Sequence, residues 1–200
     1  AIWCKAEMLQ PIGAFKIRGA WHRLSDLNED ERARGVVGVS SGNHAQGVAW
    51  AAKRLGISAT IVMPSNAPRM KLEATKALGA NVVLYDRATE SREVVAAGLI
   101  AQSGATLVHA FGDPWVIEGQ GTAGIEITQQ LHDFGLSGPN LIVACCGGGG
   151  LASGLALACP DADIAIVEPE GWDDIIRSLD AGEILPVKDL THPTYCDALQ

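Results

Sequence analysis

Short apolar segments of four or five residues alternate with longer amphipathic segments along almost the whole 200-residue chain. An apolar run that ends in a turn signal is typical of a buried strand, and apolar positions repeating every 3.6 residues are typical of a helix. The predicted strands are Ile2–Lys5, Val36–Ser40, Ala59–Met63, Asn81–Leu84, Thr106–His109, Leu141–Ala144 and Ile164–Val167. The predicted helices are Ile17–Leu27, Asn43–Leu55, Pro68–Leu78, Ser91–Ser103, Val116–Leu131, Leu151–Ala158 and Asp173–Ala181. This alternation indicates βαβ units, and therefore an α/β fold with a doubly wound, mostly parallel sheet and helices on both faces.

The charge balance argues against a nucleic-acid partner. The chain has 15 Lys and Arg against 23 Asp and Glu, a net charge of −8, and its basic residues do not cluster. Binding to a phosphate backbone depends on clustered Lys and Arg, so we expect none. The five cysteines are odd in number and form no Cys-x-x-Cys pair, which favours free thiols and a cytoplasmic location.

One uncharged stretch approaches the length of a membrane-spanning helix. Residues 135–160 carry no charged side chain, and residues 141–159 are almost long enough to cross a bilayer. Four consecutive glycines, Gly147–Gly150, stand in the middle, and each costs about 1 kcal/mol in a helix interior. A strand, a glycine turn and a helix explain the stretch better, so we expect no membrane segment.

Three loops with unusual chemistry follow predicted strands, where open parallel sheets bind their ligands. The first, Glu7–Ala20, places Lys16 at the start of a helix. A cation there opposes the helix dipole, so this lysine is either a solvated surface residue or a functional amine, for example one that forms a Schiff base. The segment alone favours the surface lysine.

The other two loops resemble anion sites. In Val39–Gly47, hydroxyl and amide side chains at the start of a helix can bind a carboxylate or a phosphate. The simpler explanation is that Ser41 or Asn43 only caps the helix. In Cys146–Gly154, the four glycines let backbone N–H groups approach an anion closely, and the alternative is a flexible turn.

Together these loops resemble the three signature segments of fold-type-II pyridoxal-phosphate enzymes, specifically the serine/threonine dehydratase (ammonia-lyase) and serine racemase branch. The likeness continues through Val62-Met63-Pro64, Gly79-Ala80 and Glu118–Thr122, so it covers essentially the whole chain. It implies a two-domain, tryptophan synthase β-like architecture, with a discontinuous large domain at residues 1–34 and 113–200 and a small domain at residues 35–112. Family members run past both ends, so we expect the central, incomplete part of a longer enzyme.

The resemblance also implies how pyridoxal 5′-phosphate would be bound. Lys16 would carry the cofactor, Phe15 would pack beside its ring, and Asn43 would bind the 3′-oxygen. The 5′-phosphate would be bound by the glycine loop, which consists of Gly147, Gly148, Gly149, Gly150 and Leu151.

A second set of residues would act on the substrate, a small amino acid. Its carboxylate would be held by Ser40, Ser41, Gly42, Asn43 and His44. Lys16 would remove the Cα proton, and Ser41 would be a second acid/base on the opposite face of the ring.

The implied activity is a dehydratase, or ammonia-lyase, that converts serine, threonine or 3-hydroxyaspartate to a 2-oxo (or imino) acid and ammonia. The alternative enzyme is a serine or aspartate racemase that shares all three loops. From a different class, the alternatives are a catalytically silent protein with this fold and a nicotinamide-binding Rossmann module. The Rossmann module requires an acidic residue about 20 positions after the glycines, which Glu168 provides, but it leaves Lys16 unexplained.

The last two expectations also follow from the resemblance. Glu168, the Trp172 carbonyl and Asp174 resemble a divalent-cation site, and oxygen ligands suit Mg²⁺ or Ca²⁺. The alternative is an acidic loop that leads into a helix. The family also implies a homodimer.

Overall fold

The computed structural model describes residues 1–187, 194–196 and 199. The chain divides into two compact units, the first at Ala1–Gly119 and the second at Gln120–Gln200. Among the described residues, no helix combines the length and hydrophobicity that crossing a membrane requires.

A four-stranded parallel sheet forms the centre of the first unit. Its strands are β1 (Val36–Val39), β2 (Ala59–Pro64), β3 (Asn81–Tyr85) and β4 (Thr106–Val108). The order across the sheet is β3-β2-β1-β4, and Val36 pairs with Ala59 on one side and Thr106 on the other. Because every neighbouring pair is parallel, the loops that follow all four strands lie along one edge.

Four helices of the first unit pack around this sheet: α1 (Lys16–Ser25), α3 (Asn43–Leu55), α4 (Arg69–Ala77) and α5 (Arg92–Ser103). A further short helix, α2 (Glu29–Arg34), buries no residue. Successive strand residues point to opposite faces. Val36 therefore packs in a core with residues of α1 and α3, whereas Val37 packs in a second core with Ala96 of α5. Burying each such side chain contributes about 1.5–3 kcal/mol.

Helix α3 lies directly against the start of α1. A Cβ atom at Gly47 would lie 3.1 Å from the backbone oxygen of Lys16, so any side chain there would have to displace α1 by a few tenths of an ångström. Ahead of α1, a single 3₁₀ turn at Glu7–Leu9 brings Glu7 to Arg18. Two Arg18 nitrogens contact the two carboxylate oxygens of Glu7 at 2.7 and 2.8 Å. The beginning of α1 is therefore held from two sides.

The second unit contains a smaller parallel sheet of β5 (Leu141–Cys145) and β6 (Asp163–Val167). Helix α6 (Pro114–Asp133) leads into it, and α7 (Gly150–Ala158) and α8 (Asp174–Ala181) follow the two strands. Residues along β5 alternate between exposed and buried. The buried ones, Ile142 and Ala144, pack against residues of α6 and α7.

The predicted α/β fold with parallel strands is confirmed, and two details differ. The strand predicted at Ile2–Lys5 is wrong: these residues form no strand, and Ile2 is fully exposed, because no strand of the described chain pairs with them. Helix α2 was not predicted. It begins with a capping box, in which Asn28 accepts from the Glu31 backbone and Glu31 accepts from the Asn28 backbone.

Candidate active site

Two of the three predicted loops meet at the carboxyl edge of the four-stranded sheet. The Nζ atom of Lys16 donates a hydrogen bond to the Ala110 carbonyl at 2.9 Å, and Ala110 follows β4. Ser40 and Ser41 follow β1, which is the strand next to β4. The lysine is therefore beside the serine loop, although 24 residues separate Lys16 from Ser40 in the sequence.

Lys16 is the first residue of α1, and its side chain is half-buried. The preceding Phe15 is the N-cap residue, and no side chain caps the helix. The ammonium group lies 5.2 Å from the centroid of the Phe15 ring, within range of a cation–π contact. Lys16 and Phe15 thus lie in contact at the start of α1, and their place beside a cofactor ring stays a prediction.

The loop Ser40–Asn43 is a tight turn between β1 and α3. The Gly42 backbone N–H donates to the Ser40 hydroxyl at 3.1 Å, and the Ser40 N–H donates to the Val62 carbonyl at 3.2 Å. Gly42 is the N-cap residue of α3, and the helix has no side-chain cap. Neither Ser41 nor Asn43 therefore acts as the capping residue that the simpler explanation of the sequence required.

His44 is buried in the first turn of α3, with 2% of its surface exposed. Its Nε2 donates to the Val108 carbonyl at 2.8 Å, since a carbonyl can only accept. Burial, and then the positive charge of Lys16 and the proximity of His109, lower the pKa of His44 to about 4. The ring is therefore neutral, and its Nδ1 carries a lone pair that contacts no donor in the described part of the chain.

His109, the last residue of a predicted strand, lies in the same cluster. Its Nδ1 accepts hydrogen bonds from the backbone N–H of Gly112 at 2.9 Å and of Phe111 at 3.4 Å. Burial lowers its pKa, the charges of Arg92 and Lys16 lower it further, and Asp113 opposes them. The segment after β4 was missed by the sequence reasoning, because no motif marks a backbone carbonyl as the partner of a distant lysine.

The glycine loop belongs to the second unit and joins β5 to α7. Gly149 is the N-cap residue of α7, with φ of +80°, and no side chain caps this helix. A positive φ favours glycine. The N–H groups of the first helical turn have no acceptor within the helix, and a Cβ at Gly149 would meet open space. These residues therefore fit an anionic group such as a phosphate, which helix N-termini bind readily.

The predicted metal ligands are arranged as a helix start. The two carboxylate oxygens of Glu168 accept hydrogen bonds from the backbone N–H groups of Ile175 and Ile176, both at 3.0 Å. Asp174 is the first residue of α8, and Trp172 is buried. Across the described residues, no three His, Cys, Asp or Glu side chains form a group that could hold a metal ion. The cation site thus stays a prediction.

Parallel sheets, a half-buried lysine at a strand end and a glycine loop before a helix are typical of one class of protein, the α/β enzymes that bind a phosphorylated cofactor at strand ends. The comparison with known families gives the particular one. A family model described as "Pyridoxal-phosphate dependent enzyme" (PALP) matches residues 1–200. The chain belongs to this family, whose members use pyridoxal phosphate.

Curated relatives carry three different names. The chain is 43% identical to L-threonine ammonia-lyase of Thermotoga maritima over 202 residues, which covers 99% of this chain and 49% of that protein. It is 45% identical to L-threo-3-hydroxyaspartate ammonia-lyase of Pseudomonas sp, a match that covers 100% of this chain and 61% of that protein. It is 42% identical to serine racemase of Schizosaccharomyces pombe, also covering 100% and 61%. The chain thus spans about half to three-fifths of these relatives.

Solved structures agree on the fold. Maize serine racemase superposes with a TM-score of 0.86 at 41% identity, covering 92% of this chain and 56% of that one. The processed form of threonine deaminase isoform 2 from Solanum lycopersicum also gives 0.86, at 38% identity, covering 98% and 53%. These likenesses confirm the predicted fold-type-II architecture.

Proposed function

We propose that the protein is a pyridoxal-phosphate-dependent ammonia-lyase that converts a small β-hydroxy amino acid to a 2-oxo acid and ammonia. The observation that carries the proposal is the position of the Lys16 amine, at the end of β4 and beside the serine loop that follows β1. A family that uses pyridoxal phosphate requires such an amine, and this one is half-buried. Ammonia-lyase relatives at 43% and 45% identity support the reaction class.

The residues that would hold the cofactor fit its chemistry. Lys16 would bind it covalently, Phe15 would pack on its ring, and Asn43 would bind its 3′-oxygen. Its phosphate would lie on the N–H groups of Gly147–Gly150 and Leu151, where Gly149 has a φ of +80°, a conformation that favours glycine. Bound pyridoxal phosphate supplies an electron sink for the negative charge that develops at Cα.

The chain's own residues would bind the substrate and move its protons. The loop Ser40–His44 would hold the carboxylate, in part through N–H groups at the start of α3. Lys16 would accept the Cα proton at Nζ, and the protonated Nζ would then give a proton to the departing β-hydroxyl, which would leave as water. His44 would act as a neutral group because its pKa is far below 7, so it would orient the substrate without adding a positive charge.

A racemase is the second candidate, and Ser41 distinguishes the two. Racemisation needs an acid on the face of Cα opposite Lys16, and the Ser41 hydroxyl would provide it. A serine racemase relative at 42% identity supports this activity. Elimination needs no group on that face, so Ser41→Ala should abolish any D-isomer while ammonia release continues.

The full-length protein tests both candidates. With pyridoxal phosphate and serine, threonine or 3-hydroxyaspartate, we expect ammonia and a 2-oxo acid in equal amounts, measured by coupled assays, with chiral chromatography for D-isomers. Lys16→Ala should lose the activity and the visible absorbance of the bound cofactor. Lys53→Ala, an exposed lysine on α3, is the matched control. Absorbance that persists in Lys16→Ala would count against the assignment.

Other proposals concern the whole enzyme. The four-stranded sheet, at residues 36–108, supports a small domain at residues 35–112, with residues 1–34 and 113–200 as parts of the large domain. A homodimer and a bound Mg²⁺ or Ca²⁺ at Glu168, Trp172 and Asp174 follow from the family likeness. A cytoplasmic location is supported by five free cysteines in the described chain.

A further inference from the structure

A nearly buried ion pair lies just beyond the segment that contacts the Lys16 amine. The Nε of Arg23, on α1, donates to a carboxylate oxygen of Asp113 at 3.1 Å. The two side chains are only 12% and 10% exposed, so water solvates neither charge well. Removing one partner of such a pair leaves the other charge without compensation in a poorly solvated place. The pair therefore fixes Asp113 firmly against α1.

Two further contacts orient this ion pair. The second carboxylate oxygen of Asp113 accepts the backbone N–H of Trp115 at 3.0 Å, so both oxygens of the carboxylate are used. The guanidinium carbon of Arg23 lies 4.8 Å from the centroid of the Trp115 ring, within range of a cation–π contact. Arg23 is thus held by a carboxylate and by an aromatic ring, both from residues at the start of α6.

The segment between β4 and α6 is a closed turn. The backbone N–H groups of Gly112 and Phe111 donate to His109 Nδ1 at 2.9 and 3.4 Å. The His109 and Phe111 rings meet edge to face, with centroids 4.6 Å apart. The Ala110 carbonyl, which accepts from the Lys16 amine at 2.9 Å, belongs to this turn. Its position therefore depends on how the two ends of a short, internally bonded unit are held.

The two ends of the turn are held by different elements. At the β4 end, the Val108 carbonyl accepts from the His44 ring at 2.8 Å. At the α6 end, Asp113 follows the turn directly and is bound to Arg23. Arg23 comes seven residues after Lys16, which is about two turns of helix, so both side chains leave the same face of α1. One helix thus presents the amine and also the anchor of its hydrogen-bond acceptor.

We propose that the Arg23–Asp113 ion pair positions the Lys16 amine for the reaction, by holding the carbonyl that accepts its hydrogen bond. This inference rests on the proposed function, in which the amine accepts the Cα proton. A neutral amine must direct its lone pair at that proton. The hydrogen bond from one of its N–H groups to Ala110 restricts rotation about the Cε–Nζ bond, and a small error in such an alignment slows proton transfer strongly.

The test measures kcat and KM of the full-length holoenzyme for ammonia release from threonine. Arg23→Gln should lower kcat about tenfold and change KM less than about twofold, because the serine loop, which would bind the substrate, follows β1 and not β4. Arg23→Lys should recover most of kcat, since it keeps the charge. Arg54→Gln is the matched control: Arg54 lies 4.7 Å from the Trp50 ring centroid, and its loss should leave kcat unchanged.

A double variant keeps the proposal testable where a single substitution impairs folding. In Arg23→Gln combined with Asp113→Asn neither charge remains, and the side-chain oxygen at position 113 can still accept the Trp115 N–H. If the two residues act through one contact, the double variant should lose about tenfold in kcat, as each single variant does. Independent effects would multiply to about a hundredfold, and a loss of that size would overturn the proposal.

Hydrogen exchange of the full-length protein gives a readout independent of turnover. In Arg23→Gln the backbone N–H groups of residues 106–113 should exchange about tenfold faster than in the wild type, whereas those of β1 and β2 should keep their rates. Unchanged exchange in residues 106–113 would overturn the proposal. Faster exchange throughout the sheet would also overturn it, because the pair would then only stabilise the fold.

The remaining outcomes separate the two levels of the argument. A wild-type enzyme that releases ammonia, with a folded Arg23→Gln variant of equal kcat, would overturn the role of the pair and leave the proposed function intact. If the wild type released no ammonia from serine, threonine or 3-hydroxyaspartate, the proposed function would fail together with the role of the pair in it. Local exchange that depends on Arg23 would in that case still show that the pair anchors the segment.

Discussion

The close contact between α6 and α1 gives a sharp stability prediction at Gly119. A Cβ atom there would lie 2.6 Å from the Gly19 Cα, 2.7 Å from the His22 Cβ and 2.8 Å from the Arg18 carbonyl oxygen. All three contacts are much shorter than van der Waals distance, and none involves the flexible end of a side chain. Gly119→Ala therefore forces α1 and α6 apart.

Two opposing effects set the magnitude. Extra atoms in a well-packed interior cost about 1–3 kcal/mol, and three simultaneous backbone or Cβ overlaps place Gly119→Ala at the upper end. Replacing a helical glycine by alanine recovers about 1 kcal/mol. We expect the free energy of unfolding to fall by about 1–2 kcal/mol, because the cost of the overlaps is larger than the gain in helix propensity.

The matched control is Gly98→Ala in α5, where a Cβ would meet no atom within 4 Å. This variant has the propensity gain without the overlap, so its free energy of unfolding should rise by about 0.5–1 kcal/mol. Urea unfolding followed by circular dichroism measures both variants. If Gly119→Ala were as stable as Gly98→Ala, the tight packing of α1 on α6 would be refuted.

Three further predictions use the same unfolding assay. Glu7→Gln should lower the free energy of unfolding by about 1.5–3 kcal/mol, because the Arg18 side chain, which is only 7% exposed, loses the charge of Glu7. A decrease below about 0.5 kcal/mol would show that water screens this ion pair. His44 has a folded pKa of about 4 against 6.5 when unfolded, so the unfolded chain binds more protons between these values, and stability should fall as the pH drops from 6.5 to 4. His44→Gln should remove up to about 3 kcal/mol of that loss, while the exposed His132→Gln should leave the pH profile as it is. Asn28→Ala should cost about 1 kcal/mol through the lost capping box, and full stability in this variant would contradict it.

Much of the fold could be predicted because local signals and tertiary structure agree. Helix α3 has the predicted bounds, Asn43–Leu55, since a glycine follows it and its apolar positions repeat with helical period. The residues of the α2 capping box, Asn28 and Glu31, are also present in the sequence. The helix is only six residues long and has no buried residue, so it lacks the apolar periodicity from which the other helices were predicted. Ile2–Lys5 shows the converse, an apolar run without a partner strand.

The candidate site was predictable only in part, for a physical reason. Lys16 could be identified as a candidate functional residue because a cation at a helix N-terminus is locally unfavourable. Its acceptor, the Ala110 carbonyl, lies 94 residues further along the chain, and no residue type identifies a carbonyl as an acceptor. The burial of His44 likewise depends on the neighbouring strand and not on its own helix.

The end of β4 and the segment after it contact both His44 and Lys16. His44 holds the Val108 carbonyl, Lys16 contacts the Ala110 carbonyl two residues later, and the His109 ring between them accepts the Gly112 N–H. The Val108 and Ala110 carbonyls lie two residues apart in one short segment, so a change that releases the Val108 carbonyl removes one of the contacts that hold the segment bonded to the Lys16 amine. Because the ring is buried and neutral, loss of the His44 imidazole acts on Lys16 through this backbone segment and not through charge.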